Sequence, residues 1–215
     1  MPPELDDHAR RELLAGAQTL GLGLDPTLAE RLLAHGELLL KWNKSINLTA
    51  TTAPLEVVEK HLLDSLCVAP HLPAGLLLDA GSGGGFPGIP VALARPDVDV
   101  TLVDSVQKKV AFLKSAIAAL KLPNARALAV RLAGKPDQEG LPLVDVAVAR
   151  AFAAPDDWLK LALPYLKPQG RVVVLLGAQD RAPDRSGELA IVGEFTFTLP
   201  FSGSRRTLLL YGRST

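Results

Sequence analysis

Two aspartates and a cluster of glycines carry the most specific chemistry in this chain. Residues 76–93 read Leu-Leu-Leu-Asp-Ala-Gly-Ser-Gly-Gly-Gly-Phe-Pro-Gly-Ile-Pro-Val-Ala-Leu: a short apolar stretch ends in Asp79, and four glycines follow within five residues. Glycines at such a point let the chain turn tightly and let a ligand approach bare backbone. A second apolar stretch, Val98–Val103, ends in Asp104 about one βαβ unit later. A carboxylate at the tip of a second strand can accept hydrogen bonds from both hydroxyls of a ribose. The pair points to a cofactor of the adenosine type. In a plain Gly-rich turn both aspartates would be coincidences.

Two cofactor classes share this grammar. Gly83-Gly84-Gly85-Phe86-Pro87-Gly88 fits the dinucleotide pattern G-x-G-x-x-G, a weak signal alone, and Asp79 with Gly81, Gly83 and Gly85 fits the pattern of S-adenosylmethionine enzymes. Two features favour the methyl donor. Asp79 lies two residues before the first glycine, where it can hold the amino acid end of that cofactor. Pro87 and Pro90 add rigidity but none of the N–H groups a pyrophosphate wants.

The elements that must position these residues follow from periodicity. Leu and Ala at helical spacing predict helices over 8–20 and 26–41, with Asp25-Pro26 as N-cap and first turn, and a third over 54–69. This block, residues 1–70, reads as a helical extension or lid before the first strand; residues 71–215 read as the cofactor-binding domain. Strands are expected at 76–79, 98–103, 125–130, 144–149 and 171–176, with helices at 88–94, 106–120 and 156–166 and a turn at 167–170. The stretches 191–199 and 206–212 read as a terminal antiparallel pair. The fold class expected is therefore α/β: a parallel sheet wound by helices on both faces and closed by a hairpin. A dehydrogenase usually lacks that hairpin.

Composition bounds the partners. The chain has 215 residues, with 23 basic and 23 acidic side chains, so a nucleic-acid contact must come from a local patch or from shape. Cys67 is the only cysteine, which rules out an internal disulfide and a Cys-rich zinc site, and no metal is expected. No apolar run reaches the ~18–20 residues that span a bilayer, and the acidic N-terminus lacks a signal peptide's apolar centre. A cytoplasmic monomer is the expectation.

Several further segments resemble one family. They are Trp42-Asn43-Lys44-Ser45-Ile46-Asn47-Leu48-Thr49-Ala50, His61-Leu62-Leu63-Asp64-Ser65-Leu66, the glycine segment with Phe86-Pro87-Gly88-Ile89-Pro90, Asp104-Ser105 with Lys108-Lys109-Val110-Ala111-Phe112-Leu113, and Ala149-Arg150-Ala151-Phe152-Ala153. In this order they are similar to the bacterial small-subunit ribosomal RNA guanine-N7 methyltransferase family, also called the glucose-inhibited division protein B family. The resemblance implies a class I, Rossmann-like methyltransferase domain behind a helical region. It implies methyl transfer from S-adenosylmethionine to N7 of one guanine in 16S rRNA, within the small ribosomal subunit. It places cofactor contacts on Gly81, Phe86, Arg150, Leu132 and Ala133, with Asp104 at the ribose. Three positions depart from the family pattern: Ala133 stands where an acid is usual, Leu176-Gly177 where Lys-Gly is usual, and Arg206-Thr207 where Arg-His is usual.

No Ser/His/Asp or Cys/His grouping marks an acid–base pair. Arg150 directly follows an apolar strand and so belongs at the carboxyl edge of the sheet, where it suits a methionine carboxylate or a substrate phosphate. Asn43 and Asn47 suit a base edge or the cofactor, or else a helix end and turn. His61, Asp64 and Ser65 share one helical face and suit pocket shaping, or a simple structural hydrogen bond. Lys108, Lys109 and Lys114, with Arg205 and Arg206 in the terminal loop, are the candidate RNA contacts, against a solvated face as the plain alternative. Trp42 and Trp158 read as packing residues. Beside the rRNA enzyme stand two other readings: a small-molecule or protein methyltransferase, and an assembly factor that holds the cofactor without turnover. A NAD-dependent oxidoreductase comes last.

Overall fold

A computed structural model describes residues 5–214 of the chain. Helix α1 (Asp7–Thr19) starts at Asp6, whose carboxylate accepts from the N–H groups of His8 and Ala9. Helix α2 (Pro26–Asn43) starts as its sequence implies: Asp25 accepts from the Leu28 N–H, and proline fills the first turn. The third helical stretch differs from expectation. It begins as α3 (Pro54–Val57), widens into a π-helical turn over Val58–Leu63, and resumes as α4 (Asp64–Leu66), short of residue 69.

Strands and helices then alternate: β1 (Gly75–Ala80), α5 (Gly88–Ala94), β2 (Val98–Asp104), α6 (Gln107–Ala119), β3 (Ala125–Ala129), α7 (Pro136–Glu139), β4 (Val144–Ala149), α8 (Pro155–Ala162) and β5 (Leu166–Gly177). Helix α8 stops four residues early because Pro164 has no N–H to continue it. The turn expected at 167–170 lies within β5: Leu166 pairs with Val144 and Arg171 with Val146, so the four residues between bulge from the ladder. Short β6 (Arg185–Ser186) precedes the hairpin of β7 (Leu189–Thr198) and β8 (Arg205–Arg213).

These strands form one eight-stranded sheet in the order β3-β2-β1-β4-β5-β8-β7-β6. Pairing is parallel from β3 through β5 and antiparallel from β5 onward. The pleat sends alternate residues to opposite faces. Leu77, Val146, Val148, Val173, Leu208 and Leu210 pack with residues of α1, α2, α5 and α6. Leu78, Ala147, Ala149, Val172, Val174, Leu209 and Tyr211 pack with Trp158 and Leu159 of α8. The N-terminal helices therefore share one apolar layer with the sheet. Among the described residues no helix is long and apolar enough to cross a membrane.

Candidate functional site

The parallel strands end together. Ala80 of β1 is in register with Val103 of β2 and Ala149 of β4, so Gly81, Asp104 and Arg150 emerge side by side at the carboxyl edge. Asp104 accepts from the Gly83 N–H (3.1 Å) and the Val106 N–H (2.9 Å), which fixes its carboxylate against the glycine segment. Around it opens a cavity of about 520 Å³, lined by Gly81, Asp104, Val106, Lys109, Leu132 and Phe152 among others. Gly81 has φ +66°, and a Cβ there would run into the Phe152 ring, so only glycine fits. The donor set suits an adenosine: a carboxylate for the ribose, with Val106 and Leu132 as apolar flanks.

Asp79 lies behind this cavity. It is fully buried, and one oxygen accepts from the Gly88 N–H at the start of α5 (2.9 Å) while the other has no partner. Burial pushes its carboxyl up to about 7.

A second cavity, about 560 Å³, adjoins the first and shares Ala151 with it. Asp64, Arg150, Leu176, Phe197, Arg206 and Thr207 are among its lining residues. The π-helical turn leads directly into Asp64 on the cavity wall. By widening the helix it turns the Lys60 carbonyl and the His61 ring toward Arg150, whose guanidinium donates to both (2.8 and 3.0 Å). The guanidinium also lies 5.1 Å from the centre of the Phe86 ring. That ring packs against the rings of both His35 and His61, with centroids 4.5 and 4.7 Å away. Burial pushes His35 down to about 4 and His61 down to about 3, so both rings are neutral near pH 7. Because His61 Nδ1 accepts from Arg150, its Nε2 carries the proton and donates to Thr49 Oγ1 (2.8 Å). Phe86 is buried and lines neither cavity.

Asp64, whose side chain is 13% exposed, sits between two arginines: Arg206 Nε at 3.3 Å and Arg150 Nη1 at 3.9 Å. Burial raises its carboxyl from the usual range, against the pull of those cations. One turn back, buried Glu59 accepts from the N–H groups of Phe201 and Ser202 (2.6 and 2.7 Å), pinning the β7–β8 hairpin tip to the π turn.

Of the remaining residues with a sequence-predicted role, only Lys109 and Arg206 border a cavity. Asn43 uses its amide on the following turn, donating to the Thr49 carbonyl and accepting from the Leu48 and Thr49 N–H groups. Asn47 is exposed. The Ala133 N–H is already given to Glu139 (2.8 Å), so α7 brings a carboxylate to the spot where the sequence lacks one. Lys108 and Lys114 are exposed on α6, whereas Lys109 borders the first cavity. Arg205 is exposed, and only Arg206 of the hairpin pair reaches the second cavity. Ser65 is buried with its hydroxyl unpartnered. Sequence reasoning missed His35, Glu59 and Phe197. A polar residue on the apolar face of a helix was the available signal for His35 and Glu59; Phe197 had none.

The model of the family described as rRNA small subunit methyltransferase G matches residues 28–192. The chain belongs to that family. A ribosomal RNA small subunit methyltransferase G from Myxococcus xanthus is 47% identical over 217 residues, covering 96% of this chain and 99% of its own. One from Anaeromyxobacter dehalogenans (strain 2CP-1) is 44% identical, covering 95% and 97%. Among solved structures, a SAM-dependent methyltransferase from Aquifex aeolicus superposes with TM-score 0.54 at 16% identity, over 74% of this chain and 93% of that one. At that identity the likeness speaks for the Rossmann-like methyltransferase fold, which is the fold class the alternating elements predicted. Membership of the family makes the chain a methyltransferase and sets aside the oxidoreductase reading.

Proposed function

We propose that this protein transfers a methyl group from S-adenosylmethionine to N7 of a guanine in 16S rRNA of the small ribosomal subunit. One observation carries the reading: two cavities adjoin at the carboxyl edge of the sheet, one built around Asp104 and the other flanked by Arg150 and Arg206. Asp104, Gly81, Val106 and Leu132 hold the cofactor's adenosine in this reading, and Arg150 faces its carboxylate end. Asp79 acts from behind, by fixing the glycine segment. Bound there, S-adenosylmethionine supplies an electrophilic methyl group. The second cavity admits the base, and Arg206 meets the RNA.

Guanine N7 has a lone pair and no proton, so the protein need supply no general base. Its work is to align N7 with the methyl group and exclude water. The residues present agree: both nitrogens of His61 are engaged, and neither buried histidine titrates near neutrality. Comparison of 16S rRNA nucleosides by mass spectrometry, from cells with and without this protein, tests the reading directly. Loss of a single 7-methylguanosine is expected; unchanged nucleosides rule it out.

Two further outcomes follow from the geometry. Asp104→Ala should weaken S-adenosylmethionine binding by about 1.5–3 kcal/mol, the scale for losing charge-assisted hydrogen bonds. Titration calorimetry showing an unchanged affinity would remove Asp104 from the ribose, and tight NAD binding to the parent protein would overturn the methyl donor. The chemical step should also be nearly flat from about pH 6.5 to 8.5, where a histidine base of ordinary pKa would titrate. A log-rate slope near one in single-turnover measurements, with cofactor and substrate saturating, would contradict direct attack by N7.

A further inference from the structure

Asp64 has acceptor capacity that the folded chain leaves unused. A carboxylate offers about four lone-pair positions. Here the only hydrogen bond among the described residues is a long one, from Arg206 Nε to Oδ2 at 3.5 Å, with the same nitrogen 3.3 Å from Oδ1 and Arg150 standing off at 3.9 Å. Buried polar groups are normally satisfied, so a mostly buried carboxylate this sparsely bonded and facing a cavity is a place for donors to arrive. The same cavity has Phe197 on its wall, half-buried, on β7 directly opposite Arg206 of β8. Leu176 adds an apolar surface. A flat aromatic, a fixed carboxylate and two guanidiniums are the fittings of a pocket for an unstacked nucleobase.

We propose that Asp64 is the specificity-determining residue of this pocket, accepting the N1–H and N2–H groups of the target guanine. Guanine is the standard RNA base that presents a ring N–H and an adjacent amino group as neighbouring donors, which a carboxylate matches with its two oxygens. Adenine presents a bare ring nitrogen there and meets the carboxylate with repulsion. Arg150 and Arg206 orient Asp64 and oppose the effect of burial on its carboxyl, and Phe197 offers a stacking face. A base held by its Watson–Crick edge leaves N7, on the far edge, free to face the first cavity across Ala151. The inference rests on the guanine methylation proposed above and adds the residue that reads the base.

The test uses small subunits reconstituted on 16S rRNA ligated to carry guanosine or inosine at the methylated position. Inosine keeps N7 and N1–H and lacks only the amino group. The parent protein should methylate guanosine at least about tenfold faster than inosine in single turnover, because a site built for a donor rejects the analogue without it. In Asp64→Asn an amide N–H must oppose one of the two guanine donors, whereas the amide oxygen can take the lone N1–H of inosine, so this preference should vanish or invert. Asp64→Glu, which keeps the carboxylate, should retain it at a reduced rate. A purely structural role would lower both substrates alike and leave the ratio unchanged. Equal rates on guanosine and inosine with the parent protein overturn the assignment, whether or not the variants fold. The same ratio in the parent protein and Asp64→Asn also overturns it. A parent protein that forms no 7-methylguanosine on unmodified subunits defeats the proposed function, and this inference with it.

Discussion

Arg150→Ala is expected to slow single-turnover methyl transfer by about a thousandfold, a loss near 4 kcal/mol in the barrier. Arg150 is tied into the site at four points: the Lys60 carbonyl, His61 Nδ1, the Phe86 ring and Asp64. Alanine breaks all four at once. The chain following β4, which divides the two cavities, then loses its anchor, and a positioning error of an ångström is costly when catalysis is alignment. Asp64 is left with Arg206 alone, and an under-compensated buried carboxylate should cost about 3 kcal/mol of stability as well. Arg150→Lys should recover little, because an ammonium cannot bond two acceptors in a fixed fork while covering a ring. Quench-flow on protein shown to be folded by circular dichroism measures this. A rate within threefold of the parent would take Arg150 out of the site.

Asp79→Asn should act mainly on stability, and its effect should depend on pH. Below about pH 4 the unfolded and folded chains both hold the proton on Asp79. Between there and pH 7 the unfolded chain gives it up while the folded one, where burial pushes the group up to about 7, keeps it. The parent protein therefore loses stability as pH rises through that window, and the loss is complete once the buried group ionises. At about 1.36 kcal/mol per pKa unit, the total reaches ~4 kcal/mol. Asparagine cannot ionise and can still accept from the Gly88 N–H. Its stability advantage over the parent should widen by about that amount between pH 4 and pH 8. Urea denaturation at both pH values gives the comparison, and a constant difference would mean that Asp79 is charged and satisfied in the folded state.

Much of the architecture was legible because its causes are local. The alternation of β1, β2, β4 and β5 with helices is written in runs such as Val-Val-Val-Leu-Leu at 172–176, and the turn at Gly81 in its neighbours. Asp104 could be placed because a strand end and a glycine segment one βαβ unit apart meet at one edge. The π-helical turn was not legible. Residues 58–63 have ordinary helical periodicity, and what widens the turn is tertiary: Arg150, about ninety residues onward, takes the Lys60 carbonyl. The role of Glu59 was hidden for the same reason: its place on an apolar face could be read, but its partners Phe201 and Ser202 come from the far hairpin. The departure at Ala133 looked like a lost carboxylate in the sequence, and only the fold returns one through Glu139. Asn43 had two readings from its type alone, and the turn bonds it makes depend on where residues 48 and 49 go.

The position of β8 bears on how the chain emerges during synthesis. It follows β7 in sequence but lies between β5 and β7 in the sheet. Until residues 205–213 are made, the edge of β5 has no partner, and that edge is the apolar Val172–Leu176. At translation rates of ~5–20 residues per second, the interval from the end of β5 to the end of β8 lasts roughly two to seven seconds. For that time the nascent chain carries an open, greasy strand edge, the kind that pairs with whatever else is extended nearby. A nascent chain stalled between β7 and β8 is consequently the species on which a chaperone would have most to do.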